Sequence, residues 1–593
     1  MTFKGRASRV LIGLSVGALL AACTAVAPPA QPEAASGFRA GLDTTVASRQ
    51  MAAAANPLAA EAGRRILREG GSAVDSAIAM QMMLTLVEPQ SSGVGGGAFL
   101  MHWNGRVVQA YDGRETAPAA VTENLFTVDG KPMAFYDAVV GGRSVGVPGA
   151  VRMLELAHKQ HGRLPWSQLF LPAIEQAERG FAVSPRLYAL LESEKFLMKD
   201  PVAAAYFYGS DGRPKPVGTV LRNPELAATL KAIANGGSAS LHEGSAATAI
   251  VDKVRTHPTN PGTMTAADLS GYRAKERTPV CSNYKKWRIC GMPPPSSGGI
   301  AIAQMFGIFS NRNIAAVPPI GVGATQEPQV DAVHLFSEAG RLAFADRGLY
   351  VADSDFIAVD VAGLIDPTYL AQRARLIGNR SMGKAAPGVL PGGVALGEDP
   401  SPHRSATSHI SAVDSFGNVV SMTTSIEDQF GARQMVAGFL LNNELTDFSF
   451  VPTENDKPVA NRVQPGKRPR SSMAPTLVFD RASGEIVASL GSPGGSLIIG
   501  YVAKTLVGVL DWNLDIQQAI SLPNFGSRNG PTELEEGRVS GALIDGLKAR
   551  GHEVRVMPMT SGLQGIVRIR RPDGSLAWAG GADPRREGVA LGD

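Results

Sequence analysis

Cysteine is scarce in this chain, with three residues in 593. Cys23 closes an N-terminal apolar run, which leaves only Cys281 and Cys290 for the body of the protein. The stretch between that pair, Ser282 to Ile289, is expected to fold back as a hairpin around Asn283. In an exported chain the pair is expected to form a disulfide, the alternative being two free thiols in adjacent strands. Long apolar runs are also missing: beyond the N-terminus no segment is long and apolar enough for a transmembrane helix. Strong charge is missing too. The formal net charge is +4, and Lys4, Arg6 and Arg9 supply three of those charges. No long Lys/Arg tract interleaves with aromatics, which argues against a nucleic-acid partner, and Lys467-Arg468-Pro469-Arg470 reads as a short solvated loop. No internal repeat is visible. His158 and His161 have i,i+3 spacing, but no carboxylate or cysteine partner stands near them in sequence. Histidines in a last helical turn complement its dipole, so neither a metal nor a cofactor is expected.

What is present begins with a targeting segment. Lys4, Arg6 and Arg9 precede the apolar run Val10 to Ala22, which is too short to remain as a membrane span. It ends in Leu20-Ala21-Ala22-Cys23, similar to a bacterial lipoprotein signal with Cys23 as the lipidated residue; an ordinary secretory signal is the alternative. Residues 1–22 are therefore expected to be removed, and 23–40 to serve as a Pro/Ala-rich tether. The protein is expected to face the periplasm, held to a membrane by its lipid.

Asn56-Pro57 caps a helix ended by Gly70-Gly71, and a second helix follows from about Ser72 to Leu86. Pro148 to His161, Pro165 to Arg179 and Gln329 to Arg347 read as amphipathic helices closed by Gly162, Gly180 and Gly348. The second half is strand-rich, with hairpins joining Pro475–Asp480 to Ile486–Leu490 and Ile566–Arg570 to Leu576–Ala579. Gly383 to Arg404 is rich in Gly and Pro, lacks periodicity and is expected to be an exposed loop.

That loop leads into Thr407, the start of an alternating strand that turns at Asp414 to Asn418 and returns from Val419 to Ile426. Ser421, Thr423, Thr424 and Ser425 line the return. A threonine at a strand start suits an ordinary pleated hairpin. It is also what an N-terminal nucleophile requires: cleavage between Ala406 and Thr407 frees an α-amine able to act as base for its own hydroxyl. Gly491-Ser492-Pro493-Gly494-Gly495 could be a tight turn or a phosphate cradle, but no Lys-Ser/Thr pair follows, which disfavours the cradle.

The chain resembles the γ-glutamyltranspeptidase family. The likeness rests on Gly70 to Asp75, Glu88 to Gly97, Asp112 to Pro118, Val145 to Gly149 and Met292 to Gly299. It continues through Thr407-Ser408-His409, Leu441 to Glu444, Asp447-Phe448-Ser449, Arg470 to Met473, Gly491 to Gly495 and Asp583 to Arg586. The resemblance implies an α+β fold, a four-layer αββα sandwich of the N-terminal nucleophile hydrolase type. It implies a precursor cut into a large subunit (41–406) and a small subunit (407–593) that stay associated. It implies cleavage of γ-glutamyl amides such as glutathione, with transfer to water or to amino acid or peptide acceptors. By the same resemblance Thr407 is the nucleophile, Ser425 its hydroxyl partner where the family has threonine, and Gly494 and Gly495 the oxyanion hole. Arg114, Ser471 and Ser472 match the grip on the substrate α-carboxylate, and Glu444 and Asp447 the site for its α-ammonium.

Two departures stand out. Glu427 replaces an asparagine typical of the family near the ammonium site, so three carboxylates would crowd one cation. Either a proton is retained there or Glu427 turns toward Arg433 or Arg114. An altered donor preference is expected. The segment Asp447 to Ser471 is shorter than in relatives that carry a lid, so hydrolysis is expected to outrun transfer. The rival readings are a glutaryl- or cephalosporin-type acylase of the same fold, with less need for Asp447, and an inactive surface protein.

Overall fold

The computed structural model describes residues 1–2, 37–391, 395–399 and 406–593. Cys23, the apolar run before it and most of the expected tether lie outside the described residues. Among those described, no helix is long and apolar enough to cross a membrane.

Two seven-stranded antiparallel sheets form the centre. The first carries Thr407 and runs Val589–Gly592, Met51–Ala54, Ala406–Val413, Val419–Glu427, Gly97–Trp103, Val108–Gly113 and Lys275–Arg277. The second runs Thr45–Ala47, Leu576–Ala582, Gln564–Arg570, Ile486–Gly491, Thr476–Asp480, Trp287–Gly291 and Val280–Tyr284. Strand alternation divides each sheet into an outer and an inner face. Ile410, Ala412, Val420 and Met422 point outward into a core shared with helices α1 (Pro57–Arg68) and α2 (Ala73–Val87). Leu477, Ala488, Leu490 and Ile566 belong to a second core with helices α3 (Gly298–Ser310), α4 (Val330–Tyr350) and α5 (Ile498–Leu510). Between the sheets runs a polar seam: Ser421 Oγ donates to the Leu490 carbonyl at 3.0 Å and Ser489 Oγ to the Val420 carbonyl at 3.0 Å. The layers are helix, sheet, sheet, helix, the expected αββα order.

Local chemistry explains the helix starts. Asn56 accepts from the Leu58 amide, with Pro57 in the first turn. Ser72 and Asp75 form a capping box, and every residue of α2 is buried, as befits a helix wedged between a sheet and other helices. Pro165 to Arg179 is split into a 3-10 turn, Trp166–Phe170, and a helix, Leu171–Arg179. α4 does not stop at Gly348; it runs on to Tyr350, whose hydroxyl donates to the Gly388 carbonyl at 2.6 Å.

Two expectations need correction. Cys281 and Cys290 are bonded and directly opposed in an antiparallel pair, but the turn lies at Lys285-Lys286; Asn283 sits within the strand opposite Arg288. The basic run at 467–470 is not solvated. Lys467, Arg468 and Arg470 are buried, with Lys467 Nζ donating to the Ala460 carbonyl and Arg470 paired to Asp399 at 2.7 Å. The described part of Gly383 to Arg404 is the expected loop, without helix or strand and largely exposed, tied down where the Ala385 amide donates to Asn529, the Gly388 amide to Asp346, and the Asp399 carboxylate is buried.

Candidate active site

Thr407 enters the site from a distorted strand end. Thr407 pairs with Ser425 but Ala406 pairs with Glu427, so the ladder skips Ile426 and bulges at the Ala406–Thr407 bond. Glu427 takes up the distortion with φ +75°, a left-handed conformation unusual for glutamate. At this bulge Ser425 Oγ donates to the Ala406 carbonyl at 2.8 Å and receives the Glu427 amide at 2.8 Å. Thr407 Oγ1 lies 3.5 Å from Ser425 Oγ. Arg586 Nη1 donates to the Thr407 carbonyl at 3.3 Å. His409, on the same face two residues on, bonds Thr423 and Ser411, and burial pulls its pKa down to about 3. It is neutral at ordinary pH and has its own partners.

Across the cleft the strand Ile486–Gly491 ends and α5 begins. Gly494 has φ +131° and Gly495 φ +54°, backbone that side-chain-bearing residues rarely adopt. A Cβ on Gly494 would also collide with the Tyr501 ring at 2.5 Å. The turn therefore needs glycine, and it delivers backbone to the cleft floor ahead of a helix N-terminus.

Thr407, Ser425, Glu427, Glu444, Asp447, Ser471, Ser472 and Gly495 line one cleft. Gly494 adjoins it. Arg114 stands behind its wall, fully buried, with Nη1 on Glu444 and Nη2 on Asp447. Its Nε and Nη2 also reach the Pro469 and Arg470 carbonyls at 3.1 and 3.2 Å. The expected carboxylate grip and ammonium site are thus paired with each other.

Charge is crowded here. Glu427 turns toward neither Arg433, which pairs with Glu194 and Asp428, nor Arg114; it accepts from Asn443 Nδ2. Burial, then the neighbouring Asp447, Asp428 and Glu444, raise its pKa well above the usual carboxylate range. Glu444 is pushed up to about 7, chiefly by burial against the pull of Arg114, and burial raises Asp447 as well. The first alternative for Glu427, retention of a proton, is the one the environment favours.

Sequence reasoning missed three contributors. Glu115 is fully buried 3.9 Å from Arg114, and burial and Glu444 raise its pKa well above the ordinary value. Arg347 donates to Ser472 Oγ at 2.7 Å and Ser297 Oγ at 2.8 Å. Arg586 holds the Thr407 carbonyl. Glu115 and Arg586 lie in stretches that carry the family resemblance, Asp112 to Pro118 and Asp583 to Arg586, but without an assigned role; the Arg347 contacts join distant parts of the chain. His158 and His161 go elsewhere, to the Leu164 carbonyl and the Tyr111 hydroxyl.

A hydroxyl residue at a bulged strand end between two sheets, facing a glycine turn and an Arg–carboxylate cluster, defines an enzyme of the N-terminal nucleophile hydrolase class. Residues 59–593 match the γ-glutamyltranspeptidase family, and the chain belongs to that family, with γ-glutamyl hydrolase/transferase activity. It is 34% identical to a glutathione hydrolase proenzyme of Bacillus subtilis (strain 168) over 91% of each chain. It is 35% identical to the acylase ACY 1 proenzyme of Pseudomonas sp. (strain V22), covering 90% of this chain and 92% of that one. A cephalosporin acylase from Bacillus halodurans superposes with a TM-score of 0.79 at 26% identity, covering 94% of this chain and 98% of that one.

Proposed function

We propose that the chain is a precursor that cuts itself between Ala406 and Thr407, giving a large subunit, 41–406, and a small one, 407–593. Thr407 then works as an N-terminal nucleophile on γ-glutamyl amides such as glutathione. The observation that supports this most is the hydrogen bond from Ser425 to the Ala406 carbonyl beside the Thr407 hydroxyl. It polarises the bond to be broken and holds the attacking group next to it.

In the first step Thr407 Oγ1 adds to the Ala406 carbonyl carbon, the C–N bond breaks, and the nitrogen takes a proton as the α-amine. Water hydrolyses the resulting ester. An unperturbed α-amine has a pKa of about 7.7–8.0, suitable for a base at neutral pH, and the neutral, already bonded His409 leaves it that role. In turnover the amine accepts the Thr407 hydroxyl proton as Oγ1 attacks the γ-amide. Backbone N–H groups at Gly494 and Gly495 receive the developing alkoxide. The leaving amine takes the proton, and water or an amine acceptor releases the γ-glutamyl group from Thr407.

Donor recognition falls to the charged wall. Ser472, accepting from Arg347, keeps its own proton for a substrate carboxylate. Ser471 lies beside it, and Arg114 adds charge behind them. Glu444 and Asp447 would exchange part of their contact with Arg114 for the substrate ammonium. Water is the main acceptor in this reading.

The acylase likeness favours a second reading, in which the donor is a glutaryl-type amide without the amine. Matched γ-glutamyl and glutaryl anilides separate the two: the first reading expects the amine-bearing donor to be preferred at least tenfold in kcat/KM, and the reverse order supports the second.

We further propose that Cys23 carries a lipid that tethers the exported enzyme. The Cys281–Cys290 disulfide supports an oxidising compartment.

A further inference from the structure

Remote from the nucleophile, His334, Glu338 and His552 converge, all buried, with ligand atoms within 4.8 Å of one another. His334 and Glu338 stand one turn apart on α4, the i,i+4 spacing that puts two side chains on one helix face. His552 arrives from the segment before the strand Val554–Met557. We propose that these three side chains bind a divalent transition cation of the zinc class.

The outer contacts carry the argument. His334 Nε2 lies 2.8 Å from the Gly378 carbonyl, which can only accept, so the ring proton sits on Nε2 and the Nδ1 lone pair faces inward. His552 Nδ1 lies 2.7 Å from Thr532 Oγ1, leaving Nε2 to face His334 Nδ1 at 2.8 Å. Glu338 is held by Arg341 Nη1 at 2.6 Å, Ser381 Oγ at 3.1 Å and the Met382 amide at 2.9 Å. Each donor group thus has the outer partner that metal-binding imidazoles and carboxylates use to fix their orientation.

In the metal-free state the facing nitrogens share one proton. The proton can be passed along the chain, because Thr532 Oγ1 accepts from Arg341 and can donate to His552. On binding, His552 changes tautomer: its Nε2 proton departs and Nδ1 becomes the protonated nitrogen, donating to Thr532 Oγ1, so both rings stay neutral, no proton is lost overall and both inward lone pairs turn to the cation. With Zn–N bonds of about 2.0–2.1 Å in tetrahedral geometry, the nitrogens must part by roughly half an ångström. Glu338 supplies a third ligand. His334 and Gly378 also border a cavity of about 580 Å³, lined by Arg312, Asn313, Asp331 and Arg550 among others. Arg341 balances the Glu338 charge, so the bound ion brings net positive charge to the site. The ion would clip α4 to the segment holding His552 and lies outside the proposed catalytic cleft.

The test uses the processed, tag-free full chain after treatment with chelator and dialysis. Titration with zinc chloride is expected to give one equivalent per chain, and cobalt(II) in its place a visible ligand-field absorption. His552→Gln or His334→Gln should weaken zinc by more than the 10–100-fold expected for loss of an outer partner, and Thr532→Val should fall within that range. Retained anilide hydrolysis reports that each variant is folded. Wild-type protein that takes up no zinc and shows no cobalt absorption would overturn the proposal. So would a folded His552→Gln that binds as tightly as the parent. If a histidine variant does not fold, Glu338→Gln and the wild-type cobalt spectrum decide.

Discussion

Ser425 Oγ donates a 2.8 Å hydrogen bond to the carbonyl of Ala406, the residue whose bond to Thr407 breaks in the proposed processing. The same hydroxyl receives the Glu427 amide, so its direction is fixed by backbone on either side of the bulge. Ser425→Ala removes that donor while leaving the strand. Precursor cleavage should slow on the order of 10²-fold, the scale for loss of one preorganised donor, whereas Ser425→Thr should cleave near the parental rate. A gel time course after synthesis measures both.

Asp447 sits at the mouth of the charged wall with its carboxylate on Arg114. Its proposed role as ammonium ligand predicts a selective defect. Asp447→Ala should lose about 10–100-fold in kcat/KM on a γ-glutamyl anilide, the range for a hydrogen bond to a charged group, and little on the glutaryl anilide. Equal losses on both would reduce Asp447 to a support for Arg114.

Glu427 is buried beside three other acids, Asp447, Asp428 and Glu444. Glu427→Asn keeps a group able to bond Asn443 and removes the ionisable one. Turnover of a simple γ-glutamyl anilide is expected to rise a few-fold over the parent, increasingly so as pH rises and the parental carboxyl loses its proton. No improvement at any pH would remove the basis for an altered donor preference.

The acid cluster also sets a pH dependence of stability. Burial raises Glu444 from an unfolded value near 4.5 to about 7. Between those values the native state holds more protons than the unfolded one. The stabilisation is therefore complete below about pH 4.5 and is lost as pH rises through 7. Glu444→Gln should flatten the fall in Tm across that window; an unchanged slope would show that the group is not protonated on folding.

Much of the fold was legible because its signals are local. Asn56-Pro57 and Ser72-Asp75 cap their helices, and Asp414 does for the hairpin turn what its position suggests, accepting from the Phe416 and Asn418 amides. The strand Met51–Ala54 was not, since three alanines carry no β preference and only pairing with Ala406–Val413 and Val589–Gly592 makes it a strand. Lys467 and Arg470 read as solvated because charge usually is; carbonyls and Asp399, supplied from elsewhere, allow them to be buried. In the site, the motifs named the participants but not their pairing. That Arg114 is engaged by Glu444 and Asp447, or that Arg586 reaches the Thr407 carbonyl, depends on contacts across hundreds of residues.

The sharpest test is the N-terminal residue of the small chain. Purified wild-type protein run beside Thr407→Ala on a denaturing gel should give two chains, the smaller beginning at Thr407, and the variant a single uncut, inactive one. A chain that starts at another residue yet hydrolyses γ-glutamyl donors would contradict the account.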